Sequence, residues 1–96
     1  MKATLLFKDH IPQPPHGFVE LVLWLLPKPI AGSHHLYKYR LALVMNGICV
    51  LRYDNEAGKG DHKHYGLVET QYKFESPEQL LADFWLDVAQ WRDENE

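Results

Sequence analysis

The sequence predicts an α+β fold: an antiparallel sheet of about five strands, with a central hairpin, packed by one carboxy-terminal helix. Three observations carry this. Asn46-Gly47 separates two strand-like runs and matches a type I′ hairpin. Ser76-Pro77-Glu78-Gln79 opens the one convincing helix. Between these, prolines and glycines cut the rest of the chain into short apolar runs with strand character.

Lys2 to Ile11 reads as the first strand, ending before the turn-rich Pro12-Gln13-Pro14-Pro15-His16-Gly17. Phe18 to Leu26 is the second. Lys28 to Ser33 is a loop, because Pro27 just before it and Pro29 within it forbid a central strand there. Leu36 to Met45 and Ile48 to Asp54 are the arms of the hairpin. A fifth strand, Leu67 to Phe74, follows a polar loop. In the helix, Leu80, Leu81, Phe84, Trp85, Val88 and Trp91 make an apolar stripe, and Asp83, Asp87 and Gln90 are assigned to the opposite, solvated side. With Met45 opposite Ile48, the expected register sets Leu43 against Val50, Leu41 against Arg52 and Tyr39 against Asp54. Arg40 then meets Tyr53, and Lys38 meets Asn55.

The 96 residues are expected to form a single domain, 1–96, with a modest core. No apolar run reaches the roughly 18–20 residues of a membrane span, and Leu5-Leu6-Phe7 is too short for a secretion signal. One cysteine, Cys49, excludes an internal disulfide and reads as a core residue; a cytoplasmic location is expected. The net charge of −3 hides an asymmetry: residues 1–74 hold nine Lys/Arg against six acids, residues 75–96 one Arg against seven. Such a chain is a poor sequence-independent nucleic-acid binder as a whole, while one basic face can still hold phosphate.

The stretch Tyr53 to His64 concentrates the chemistry. It places two Gly, two Asp, a Glu, two Lys and two His in twelve residues. Gly58-Lys59-Gly60 can shape a concavity of backbone N–H groups for an anion, although the spacing is not that of a P-loop. Lys38, Arg40, Arg52 and Lys59 are the candidate phosphate-binding residues. His62, His64, Tyr53, Asp54 and Asp61 are the candidate catalytic ones, imidazole being the group suited to proton transfer near neutral pH. A metal held by Asp61, His62 and His64 is the alternative chemistry; the preferred reading needs no cofactor. His34-His35 can join a site only through the fold, and His10 and His16 read as surface residues flanking turns.

The string Arg52-Tyr53-Asp54-Asn55-Glu56-x-Gly58-Lys59-Gly60-Asp61-His62-x-His64, with Lys38-Tyr39-Arg40-Leu41 before it and Tyr72-x-Phe74 and Phe84-Trp85-x-Asp87 after it, resembles the TumE family of toxins. The resemblance implies a small bacterial or archaeal toxin of a type II toxin-antitoxin module, cleaving RNA and neutralised by a cognate helix-turn-helix antitoxin. Two other readings stay open: a non-enzymatic module that binds a partner or a second copy, and a metal-dependent hydrolase.

Overall fold

In the computed structural model, which describes residues 2–96, six antiparallel strands form one open sheet in sequence order. They are β1 (Thr4–Gln13), β2 (Gly17–Leu25), β3 (Tyr37–Met45), β4 (Ile48–Glu56), β5 (Gly60–Tyr65) and β6 (Val68–Gln71), followed by α1 (Pro77–Asn95). The architecture is the α+β arrangement expected, with one strand more. The extra strand is β5: the second half of the polar loop is extended and pairs with β4, His64 opposite Arg52 and His62 opposite Asp54. The expected fifth strand survives as the four residues of β6.

Both turn residues, Asn46 (φ 53°) and Gly47 (φ 78°), are left-handed, as the predicted type I′ hairpin requires. Met45 pairs with Ile48 and Val44 with Cys49, as expected. A β-bulge between Leu43 and Val44 then shifts the register by one residue. Leu43 meets Leu51, Leu41 meets Tyr53, and Arg40 meets Asp54. The expected pairs beyond Val44 are therefore corrected, and the cause is burial. Because strand side chains alternate, the extra residue turns Leu51, Tyr53 and Asn55 inward and Arg52 and Asp54 outward. Without it, a guanidinium and a carboxylate would lie under the helix.

The core is one sheet face closed by α1. Val19, Leu21, Leu23, Tyr39, Leu41, Leu43, Leu51 and Tyr53 pack against Leu80, Phe84 and Val88. Ser76 caps the helix as its sequence predicts, its Oγ accepting from the Gln79 N–H at 3.0 Å, with Pro77 at the first position. At about 100° per residue, Asp87 lies about 20° from Leu80 on the helix wheel, on the side away from Phe84, and so flanks the apolar stripe and is not opposite it. Correspondingly, Asp87 Oδ2 accepts from Tyr53 Oη at 2.6 Å and Lys63 Nζ at 2.7 Å, and Asp83 Oδ2 accepts from Tyr72 Oη at 2.5 Å. The solvated helix side expected for Asp83 and Asp87 is instead its polar seam with β4 and β5. At the far end, Arg92 donates to Gln13 Oε1 at 2.7 Å and to the Pro14 carbonyl, tying the helix to the β1–β2 turn. Cys49, expected in the core, is exposed beside the hairpin turn.

Asn55 is fully buried and stands in for the strand ladder where β3 and β4 part. Its Oδ1 accepts from the Tyr39 N–H at 3.0 Å, and its Nδ2 donates to the Tyr37 carbonyl at 2.8 Å. Asn55→Leu leaves both backbone groups unpaired, at about 1–3 kcal/mol each. Chemical denaturation should show a loss of about 2–5 kcal/mol; a loss below about 1 kcal/mol would refute this role.

The tyrosines of the seam predict a second response. Burial, reinforced by hydrogen bonds to Asp61, Asp87 and Asp83, raises the hydroxyls of Tyr39, Tyr53 and Tyr72 respectively. Burial and the Glu94 carboxylate push Tyr65 up to about 12 from 10.0. A raised acid binds its proton more tightly in the folded state, so this stabilisation is complete below pH 10 and is lost as pH climbs through 12. Thermal melts should hold steady up to about pH 10 and fall above it, and Tyr53→Phe should flatten the fall. An unchanged slope in that variant would exclude Tyr53 as a contributor.

Candidate functional site

The nine residues singled out in the sequence divide between the two faces of the sheet. Lys38, Arg40, Arg52, Asp54, His62 and His64 fall on the open face, away from the helix; Tyr53 and Asp61 fall on the helix face. Lys59 sits in the β4–β5 turn, between Gly58 (φ 80°) and Gly60 (φ 76°). Strand alternation thus separates Asp61 from His62 and His64 and dissolves the three-ligand metal set. Among the described residues, no other three or more His, Cys, Asp or Glu side chains are gathered to hold a metal.

On the open face the groups are in contact. Arg52 Nη2 lies 3.0 Å from His64 Nε2, and Arg52 Nε lies 3.1 Å from Asp54 Oδ2 without hydrogen-bond alignment. Since a guanidinium only donates, His64 Nε2 is the acceptor and its ring hydrogen is on Nδ1, which faces Glu69 Oε2 at 3.7 Å. His62 is placed differently. Its Nε2 contacts the Lys59 carbonyl at 2.6 Å, and its Nδ1 lies 3.3 Å from Glu69 Oε1, so it can donate from both sides of the ring. Two imidazoles on one strand face, about 7 Å apart by strand geometry, therefore differ in what their nitrogens meet. Arg40 is exposed, 3.9 Å from Glu20, and Lys38 Nζ donates to the Asn55 carbonyl. Glu69, on β6, lies within ion-pair distance of both histidines and was not singled out in the sequence.

Tyr53 is not a free proton donor. Its hydroxyl is held by Asp87 beside Lys63, and burial raises it far above its ordinary range.

Asp61 lies in a cleft of about 440 Å³ behind the β4–β5 turn, lined by Gly32, His34, Lys59, Gln71, Tyr72 and Phe74 among others. Its Oδ2 accepts from Tyr39 Oη at 2.6 Å and contacts His35 Nε2 at 2.9 Å. His35 Nδ1 accepts from the Tyr37 N–H at 3.1 Å, which fixes the tautomer with hydrogen on Nε2. Phe74 stacks on the His35 ring at 3.9 Å. The long β2–β3 connection delivers His35, and the Gly58 N–H anchors that connection by donating to the Ala31 carbonyl at 2.8 Å. Nothing local in the sequence pairs His35 with a residue 26 positions away.

A family model described as Toxin TumE matches residues 3–92. The chain therefore belongs to the TumE toxin family, and an antitoxin partner is implied in general terms. No curated protein and no solved structure matches it. Among the described residues, no helix is long and apolar enough to cross a membrane.

Proposed function

For this member of a toxin family, we propose RNA cleavage by acid/base chemistry on the open face of β4 and β5. The observation that carries the reading is the shared placement of Arg52, His64 and His62 on the face the helix leaves uncovered. Arg52 and Arg40 receive the scissile phosphate, with Lys38 and Lys59 extending the positive field along the strand. Phosphate binding draws the guanidinium off His64 Nε2 and frees its lone pair. His64 Nε2 then takes the 2′-hydroxyl proton as the 2′-oxygen attacks phosphorus, and His62 gives a proton to the departing 5′-oxygen. The products are a 2′,3′-cyclic phosphate and a 5′-hydroxyl end, and the two protons balance. Asp54 orients Arg52, and Glu69 holds both rings.

Purified protein should cleave single-stranded RNA and leave cyclic phosphate ends, and its expression without a partner should arrest growth. Arg52→Ala should lose both effects while keeping its melting temperature within a few degrees. RNA left intact by folded wild-type protein over long incubation would rule the reading out.

A second reading, a partner-binding module, draws on the other half of the same face. Phe18, Val22, Trp24 and Val44 are half-buried there, beside the charged cluster. In the toxin reading, this strip seats the cognate helix-turn-helix antitoxin within reach of Arg40; in the non-enzymatic reading, it seats a partner or a second copy and is the whole function. The same cleavage assay separates the two. The cytoplasm of a prokaryotic cell is the compartment where both RNA and antitoxin would be met.

A further inference from the structure

The cleft behind the β4–β5 turn holds a carboxylate aimed by its surroundings. Asp61 Oδ2 is fixed by two rings, Tyr39 and His35, while Oδ1 makes no hydrogen bond with any described residue. Pinning one oxygen with two donors sets the direction of the other, and the low local dielectric strengthens whatever donor it meets. Tyr72 and Phe74 form an aromatic wall beside it, and Phe74 is braced from behind by His35. Gln71, Lys73 and His34 stand exposed at the mouth. Gly58 and Gly60 also line the cleft, and a Cβ at either would meet nothing within 4 Å.

A bare anion does not suit this floor, because phosphate would face the Asp61 carboxylate. A flat group with N–H donors on its edge and π-faces on its sides does. We propose that the cleft is a nucleobase pocket for the RNA strand whose phosphates lie on the basic face. This rests on the RNA reading of the neighbouring site. The base enters beside the Tyr72–Phe74 wall and presents an N–H to Asp61 Oδ1, with the Gln71 amide able to donate or accept at the mouth. Amino-bearing bases are favoured over uracil, whose N3–H is flanked by two carbonyl acceptors that the carboxylate repels. Asp61 is thus a specificity residue and not a proton carrier for the cleavage step, which occurs on the opposite sheet face.

The test titrates the full-chain protein with GMP, AMP, CMP, UMP and inorganic phosphate, followed by amide and aromatic NMR shifts. Shifts should centre on Asp61, Tyr72 and Phe74, and the amino-bearing nucleotides should bind at least about fivefold tighter than UMP. Phe74→Leu should weaken binding roughly tenfold. Asp61→Asn should erase the preference over UMP; where loss of the Tyr39 and His35 acceptor unfolds that variant, Phe74→Leu decides the matter. Inorganic phosphate binding as tightly as the nucleotides, or shifts confined to the Arg52 face, would overturn the proposal. His64→Ala should keep base binding while cleavage is lost, so failure of the cleavage chemistry and failure of the pocket give different results.

Discussion

Replacing His64 or His62 by alanine is expected to lower RNA cleavage about 10²–10⁴-fold each, the usual worth of one positioned proton-transfer group. The two variants should then respond differently to the substrate. In the proposed mechanism His62 protonates the leaving oxygen, so a dinucleotide analogue with a good leaving group should restore most of the rate to His62→Ala. In the same proposal His64 accepts the attacking hydroxyl's proton, and the same analogue should leave His64→Ala slow. Single-turnover rates on the natural and activated substrates make the comparison. Equal rescue of both variants would remove the division of roles, which rests on the contrast between a ring meeting the Arg52 guanidinium and one meeting the Lys59 carbonyl and Glu69. Arg40→Ala should act mainly on binding, since its guanidinium is exposed and only loosely paired with Glu20.

The largest expected stability effect is at Phe84. Its ring is fully buried, edge-on to Tyr53 at 5.7 Å and to Trp85 at 5.7 Å, and it is the centre of the helix–sheet contact. Phe84→Ala should cost about 3–5 kcal/mol, from lost transfer energy and the cavity left behind. For a domain of this size that is a large share of a total stability of about 5–15 kcal/mol. The helix should then loosen from β4, exposing Tyr53 and Asp87 and raising hydrogen exchange along α1 before the β2–β3 strand pair opens. Denaturant melts with exchange readout test both parts. A loss under about 1.5 kcal/mol would mean that the polar seam, not the apolar stripe, holds the helix. Lys63 and Asp87, a close pair in that seam, should matter less, because both keep some solvent contact.

The sheet's punctuation was legible before its geometry. Asn46-Gly47 places the central hairpin because its left-handed turn is nearly a local property of the two residues. Ser76 and Pro77 place the helix start for the same kind of reason. The strand β5 was not legible, because Asp61, Lys63 and Tyr65 face the helix and His62 and His64 face away, so no apolar alternation marks it. Its helix-facing side is satisfied by partners remote in sequence, Tyr39 for Asp61, Asp87 for Lys63 and Glu94 for Tyr65. Pattern reading detects burial of apolar groups and has no local sign for a polar group that acquires its partner through the fold.

The sequence by itself determined the turns, the helix cap, the apolar stripe and the family, since each is written in neighbouring residues or in a contiguous string. Only the tertiary structure decided which face each charged residue took. One bulged residue before Leu51 sends Arg52 and Asp54 to the open face with Arg40, and strand alternation then puts His62 and His64 beside them and Asp61 behind. A period-two element converts a shift of one residue into a change of side, and what chooses the register is burial of Leu51 and Tyr53 against a helix more than twenty residues away and of Asn55 against the β3 backbone.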